Sequence, residues 1–175
     1  HSSTAMEDFY RLHCGNRRRH GLPPQPWLFF DNLFKFVVTA GKGFVAVADH
    51  LGKRIAAAVF LHFRGRAIFK FGASDRNYLN LRPNNLVMWA AIQWACRSGL
   101  KTLNFGRTEP ENEGLLQFKR GWGTEEQEIA YYTFDCKKNR FLNNGDRIKS
   151  SYRLFKMLPL PVLRLTGDIL YRHVG

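Results

Sequence analysis

The stretch that decides the fold runs from Lys101 to Phe134 and reads KTLNFGRTEPENEGLLQFKRGWGTEEQEIAYYTF. It predicts a strand at Thr102–Phe105, a polar loop at 106–114, a short helix at Leu115–Arg120 and a second strand at Ile129–Phe134. The loop carries Arg, Thr, Glu and Asn side chains just after the strand ends, where open α/β sheets bind ligands. A connection needs only a few turn residues, so we predict that this loop is functional.

The chain before this stretch predicts two helices and an antiparallel meander. Ser3 or Thr4 caps the first helix, and Pro26 opens the second. Three strands joined by tight turns follow at Gly43–Ala48, Arg54–Phe63 and Ala67–Ala73. The middle strand contains the apolar run from Ile55 to Leu61, which predicts a strand covered on both faces.

A strong helix separates the meander from the decisive stretch. Asn84 or Asn85 is expected to cap it and Gly99 to end it. Its core-facing positions are predicted to be Leu86, Trp89, Ile92 and either Ala95 or a buried Cys96. Strands, a crossover helix and further strands predict an α/β domain with a mixed sheet of about five or six strands, the helix packing on the sheet.

Residues 137–175 form a basic amphipathic tail that we predict to be distinct from a domain at 1–136. The tail has nine Lys or Arg and two Asp, a balance of +7. One amphipathic stretch contains Tyr152, Phe155 and Leu158; a second has Val162, Leu165, Ile169 and Leu170 on its apolar side and Arg164, Asp168 and Arg172 opposite. Two interpretations stay open: the tail lies on an anionic bilayer, or it packs on protein.

Composition narrows the class of protein. A net charge of +13 in 175 residues favours polyanionic partners such as RNA, anionic lipid or phosphorylated substrates. The three cysteines are far apart and show neither a metal-binding spacing nor a disulfide framework, which fits a reducing cytoplasm. No apolar run approaches the about 20 residues that span a bilayer. We therefore expect a cytoplasmic location, peripheral to the inner membrane face if the tail binds lipid.

Several ordered motifs resemble the C-terminal half of Fem-type (FemAB-like) acyltransferases, a branch of the GNAT superfamily. The motifs are Phe-Gly-Arg-Thr at 105–108, Pro-x-Asn-Glu-Gly-Leu at 110–115 and Phe-Lys-x-Gly-Trp-Gly at 118–123. Two earlier pieces fit as well, at 12–24 and 81–86. The resemblance implies a GNAT-like mixed sheet with flanking helices, and direct acyl transfer without a covalent enzyme intermediate. It also implies a preceding GNAT-like half that holds much of the acceptor site.

The same resemblance assigns roles within the loop and short helix. In Fem-type enzymes the Phe-Lys pair contacts the aminoacyl end of the donor, and Phe118 and Lys119 match that pair. Lys119 is the expected stabiliser of the oxyanion, although a solvated helix lysine is the alternative. The residues themselves suggest two further roles: Glu113 is a candidate base unless it simply pairs with Arg107, and Arg107 is a candidate anion ligand unless it forms an ion pair with Glu109 or Glu113. The candidate substrate-binding residues are Phe118, Asn112, Thr108, Asn104, Arg76, Arg82, Asn84 and Asn85.

The acyl donor has two interpretations. Acetyl-CoA-dependent GNAT enzymes place a glycine-rich turn at the start of the central helix, whereas this chain has Asn80-Leu81-Arg82-Pro83-Asn84-Asn85 there. The missing glycines favour aminoacyl-tRNA as donor, with acyl-CoA as the alternative. The expected function is transfer of an aminoacyl or acyl group to an amine or hydroxyl of a peptidoglycan or polysaccharide precursor. Alternatives are a CoA-dependent transferase of exopolysaccharide assembly and a non-catalytic basic module binding RNA or membrane.

Overall fold

A computed structural model describes residues 3–142, 155 and 157–171. Their contacts divide the chain into two compact units, the first comprising 1–107 and 152–175 and the second comprising 108–151. In chain order the first unit contains α1 (Ser3–Arg19), α2 (Trp27–Leu33), β1 (Gly43–His50), β2 (Lys53–Phe63), β3 (Arg66–Ser74), α3 (Pro83–Arg97), β4 (Thr102–Asn104) and, after the second unit, α5 (Leu160–Leu170). The second unit contains α4 (Glu113–Arg120), β5 (Thr133–Asp135) and β6 (Arg140–Leu142).

The sheet of the first unit is mixed, as predicted, and has four strands in the order β1-β2-β3-β4. The first three strands pair antiparallel, and β4 pairs parallel with β3. The predicted meander is therefore confirmed, whereas the expected strand count of five or six was too high for this sheet. The predicted strand at Ile129–Phe134 was placed wrongly, because regular pairing begins only at Thr133 and joins β5 to β6 in a separate hairpin.

The core lies on both faces of β2. Its residues from Ile55 to Phe60 are all buried, which confirms the expectation of a strand covered on both sides. On one face α1 contributes Met6 and Phe9, which cluster with Phe30 of α2. The other face carries α3, where Trp94 packs against Phe44 with 4.1 Å between ring centroids. Burial of the sheet between helices is thus the main stabilising feature of the first unit.

The buried face of α3 differs from the predicted one. Val87, Met88, Ala91 and Ala95 are buried, whereas Leu86 and Trp89 are about half exposed and Cys96 is exposed. Small alanines let the helix backbone approach β1 and β2 closely, and the larger side chains are left at the edge of the contact. Because this helix is apolar around much of its circumference, periodicity alone did not identify the face that packs.

The described part of the tail contains a helix that packs on protein. Leu163 and Gly167 of α5 are buried, and Gly167 lies against the backbone of Pro24. Phe155 and Leu158 are half-buried, while Tyr152 and Arg172 lie outside the described residues. The described part of the chain includes no helix with the length and hydropathy needed to cross a membrane.

Candidate functional site

The pairing of β3 with β4 is short. Their ladder joins Arg66–Ile68 to Thr102–Asn104, but β3 continues to Ser74. Just past the ladder, the side-chain oxygen of Asn104 accepts the Gly106 N–H at 2.6 Å, and Gly106 adopts a φ of 73°. Gly106 still lies next to β3, since a Cβ there would be 3.4 Å from the Phe69 carbonyl oxygen. Among the described residues, the pairing of β3 with β4 ends at Ile68, whereas β3 itself continues to Ser74.

A β-bulge interrupts the pairing of β2 with β3. Val59 of β2 pairs with Phe71, but the next residue, Phe60, pairs with Phe69, so Lys70 is the extra residue on β3. A bulge bends its strand and changes the direction of neighbouring side chains. The bulge therefore lies close to the point where the pairing of β3 with the edge strand β4 ends. This end was not predicted, although the Asn104-x-Gly106 spacing is a recognisable Asx-turn signal.

The N-terminus of α3 lies after the free end of β3, and its cap is not the predicted one. Arg82 occupies the N-cap position with a φ of 51°, and Pro83 follows at the first helical position. Arg82 also ends the preceding 3₁₀ helix, Arg76–Leu81, by donating its N–H to the Leu79 carbonyl at 2.9 Å. Capping by Asn84 or Asn85 was therefore wrong, because Pro83 is suited to the first turn and makes the residue before it the cap.

The two asparagines of α3 have different surroundings. The Asn84 side chain donates to the Ser74 hydroxyl at 3.3 Å, which ties α3 to the end of β3. The Asn85 N–H donates to the Arg82 carbonyl at 3.0 Å. Arg76 and Arg82 both expose their side chains. The exposed guanidinium groups near a helix N-terminus can bind a phosphate, whereas Asn84 already has a structural partner.

The short helix α4 begins two residues earlier than predicted. Asn112 caps it, its side-chain oxygen accepting the Leu115 N–H at 3.3 Å. Glu113 lies exposed in the first turn, where the helix dipole favours a carboxylate. Asn112 thus acts as a helix cap, and Glu113 remains accessible for a proton-transfer role.

Lys119 is the buried cation of α4. Its residue is only 8% exposed, and no other Lys or Arg among the described residues is buried. Burial lowers the pKa of its ammonium group, because desolvation disfavours the charged form. Its backbone carbonyl accepts the Trp122 N–H at 2.9 Å and the Thr124 hydroxyl at 3.1 Å, which fixes the end of α4. The expectation of a solvated lysine therefore does not describe this residue.

Phe118 and Thr108 complete the polar loop and helix. The Phe118 ring contacts Trp122 edge-on, with centroids 6.3 Å apart, and is half-buried. Among the described residues, the buried Thr108 hydroxyl has no hydrogen-bond partner. Such buried polar groups are rare and often mark functional positions. Arg107 is exposed and ends the first unit, whereas Thr108, Glu113 and Lys119 belong to the second. Convergence of Arg107, Glu113 and Lys119 on one cleft therefore stays a prediction.

Comparisons with known proteins agree with this architecture. The profile of the family described as an acetyltransferase (GNAT) domain matches residues 2–120. The lipid II:glycine glycyltransferase of Staphylococcus haemolyticus is 30% identical over 79 residues, which cover 42% of this chain and 19% of that protein. The chain thus matches about a fifth of the length of this relative.

Two solved structures share the fold at low identity. AAC(6')-Iy in complex with the bisubstrate analogue CoA-S-monomethyl-acetylneamine is 17% identical, with a TM-score of 0.60 over 76% of this chain and 93% of that chain. The ribosomal-protein-S18-alanine N-acetyltransferase of Escherichia coli is 15% identical, with a TM-score of 0.61 over 81% of this chain and 84% of that one. The family profile covers most of the chain, and the two solved structures share its overall fold. The chain belongs to the GNAT acetyltransferase domain family and, within it, resembles the Fem-type glycyltransferases.

Proposed function

We propose that this chain is the donor-binding part of a Fem-like transferase. It moves an aminoacyl or acyl group onto an amine or hydroxyl of a cell-envelope peptidoglycan or polysaccharide precursor. The observation that carries the proposal is the buried Lys119 beside Phe118 on α4. Burial lowers the pKa of its ammonium group, and an ammonium group in a partly dry site is suited to stabilise an oxyanion.

The chemistry assigned to the site is direct acyl transfer. The acceptor amine attacks the carbonyl carbon of the aminoacyl ester, the new C–N bond forms, and the bond to the carrier oxygen breaks. Lys119 stabilises the negative charge that develops on the carbonyl oxygen. The exposed carboxylate of Glu113 accepts the proton that the amine loses and passes it to the carrier oxygen, which leaves as a hydroxyl group. Phe118 contacts the aminoacyl end of the donor, the role that its Fem-type counterpart has.

The charge of the chain supports aminoacyl-tRNA as the donor. A net charge of +13 attracts phosphate chains, and the exposed Arg76 and Arg82 supply guanidinium groups near the start of α3. Binding through phosphates releases counterions, so the affinity falls as salt rises. The acceptor is assigned to a further GNAT-like half, because the glycyltransferase relative is matched over only about a fifth of its length.

A filter-binding experiment tests the proposal. The chain is titrated with glycyl-tRNA and with deacylated tRNA at two salt concentrations, as wild type, Lys119→Ala and Lys138→Ala. Lys138 is an exposed lysine of the same unit and serves as the matched control. We expect tighter binding of the aminoacylated form, loss of that preference in Lys119→Ala, and no loss of it in Lys138→Ala. Equal binding of both tRNA forms by the wild type would contradict the proposal.

A specific observation favours an acyl-CoA-dependent transferase as the second candidate. Beyond Phe69, β3 continues to Ser74 with no strand paired on its β4 side among the described residues, so this edge can pair with the amide groups of an extended ligand. One structure of the same fold was solved with a CoA-containing analogue. A purely RNA-binding module is the remaining alternative. That alternative requires Lys119→Ala to bind both tRNA forms as the wild type does.

A further inference from the structure

The helix α5 is oriented with polar groups toward the protein. The Arg164 guanidinium lies over the ring of Tyr10 in α1, 5.0 Å from its centroid. Tyr171, just past the helix, accepts a hydrogen bond from Arg17 at 2.9 Å. Leu163 and Gly167 are buried on the same side. This side of α5 is therefore already occupied by α1 and by the Pro23–Pro24 segment.

The opposite side of α5 is aliphatic and exposed. Val162, Leu165 and Ile169 follow one another at spacings of three and four residues, so they share one face of the helix. Their exposed fractions are 46%, 60% and 54%. A surface helix ordinarily turns such residues toward the core and its charged residues toward water. We call this face, Val162, Leu165 and Ile169, the outer stripe.

We propose that the outer stripe docks on an anionic bilayer surface. Three aliphatic side chains on one helix form a narrow patch, far from the about 800 Å² per partner that a stable protein interface buries. A bilayer accepts a narrow stripe because lipid chains rearrange around it, and interfacial helices bury their apolar face only about 5–10 Å deep. The stripe is thus better matched to lipid than to a second protein.

Charge complementarity identifies the lipid class. The segment 137–175 carries nine Lys or Arg against two Asp, and α1, which contacts α5, ends in Arg17, Arg18 and Arg19. Basic residues next to a membrane-facing helix attract anionic headgroups. The net charge of the entire chain, +13, is also positive. This inference does not depend on the proposed transferase activity, since α5 belongs to the first unit, whereas Glu113, Phe118 and Lys119 belong to the second.

Vesicle co-sedimentation of the 175-residue chain tests the inference. The probes are vesicles of phosphatidylcholine alone and of phosphatidylcholine mixed with phosphatidylglycerol, each at low and high salt. We expect binding at least about tenfold tighter to the anionic vesicles, weakening as salt rises. The double variant Leu165→Glu with Ile169→Glu is expected to weaken that binding about tenfold or more, because carboxylates replace the inserted groups.

A matched control distinguishes binding through the outer stripe from binding through any exposed apolar side chain. Leu51 is 92% exposed in the turn between β1 and β2, and Leu51→Glu is expected to bind anionic vesicles as the wild type does. Circular dichroism establishes that each variant is folded. No vesicle binding by the wild type, or unchanged binding by the double variant, overturns the inference. If the wild type does not bind vesicles and light scattering shows that it is a dimer, whereas the double variant is a monomer, the outer stripe is instead an interface with a second copy of the chain.

Discussion

Gly167 of α5 lies against the backbone of Pro24, so close that a Cβ at Gly167 would overlap the Pro24 carbonyl oxygen. Backbone atoms cannot move aside as a flexible side chain can. Gly167→Ala is therefore expected to force α5 off its site and to lower the free energy of unfolding by about 1–3 kcal/mol, as overpacking does. Urea denaturation followed by circular dichroism measures the change.

The matched control for this substitution is Gly15 in the interior of α1. A Cβ there meets nothing within 4 Å. Because alanine favours a helix over glycine by up to about 1 kcal/mol, Gly15→Ala is expected to stabilise the protein or leave it unchanged. If Gly167→Ala and Gly15→Ala change the free energy of unfolding in the same direction, the requirement for glycine at position 167 does not come from the close packing of α5 on Pro24.

His13 is predicted to make the fold sensitive to acid. Burial lowers its pKa to about 4, and its ring is 2.7 Å from the Gln25 side-chain oxygen. The unfolded chain binds a proton at about pH 6.5, so the folded state loses stability as the pH falls from 6.5 toward 4. The expected loss is on the order of 2–3 kcal/mol. His13→Gln should remove that part of the pH dependence.

The measurement for His13 is a series of urea melts between pH 4 and 7. His20→Gln serves as the control, because His20 lies exposed just past the end of α1. Carboxylates also titrate in this range, so the informative quantity is the difference in slope between wild type and variant. Identical slopes for wild type and His13→Gln would show that His13 is not responsible.

Burial of Lys119 predicts effects on both the pH dependence of stability and function. Since desolvation lowers the pKa of the ammonium group, the stability of the wild type relative to Lys119→Met is expected to depend on pH. As the pH rises toward the ordinary lysine value of about 10.4, the folded state sheds its proton first and the wild type gains stability relative to the variant. Transfer activity is expected to fall about 100- to 1,000-fold, as on loss of an oxyanion donor.

The assay for Lys119→Met combines thermal melts with a transfer assay in a protein that contains both proposed halves. Lys138→Met, at an exposed lysine of the second unit, is expected to change neither quantity. A variant that is much less stable than the wild type and equally active would place Lys119 among structural residues.

The sequence predicted the elements of the first unit better than their contacts. The strands were recognisable because β2 contains an apolar run from Ile55 to Phe60 and tight turns separate it from β1 and β3. The packed face of α3 was not, because Leu86 and Trp89 repeat with the same period as Val87 and Ala91. Which set is buried depends on how closely the helix approaches the sheet, and that is a tertiary property.

The candidate site shows the same division. The local sequence predicted a polar loop and a helix containing Lys119, and both are present. It did not predict where the pairing of β3 with β4 ends, close to the bulge at Lys70 and the turn at Asn104. The bulge and the turn each leave only a weak signal in the sequence, and that they lie close together becomes visible only once the strands are paired. The orientation of α5, with Arg164 toward Tyr10, likewise depends on a partner distant in sequence.

A calorimetric titration with CoA and acetyl-CoA tests whether acyl-CoA, rather than aminoacyl-tRNA, is the donor. Pro83 lacks an N–H, and the Asn85 N–H is already bonded to the Arg82 carbonyl, so the start of α3 offers few amides to a pyrophosphate. We therefore expect no binding in the micromolar range, although the free edge of β3 is present. A dissociation constant near 1 μM, about −8 kcal/mol, would contradict this and place the acyl-CoA transferase ahead of the tRNA-dependent one. A positive control is a GNAT acetyltransferase titrated under the same conditions, which verifies that the ligand is intact.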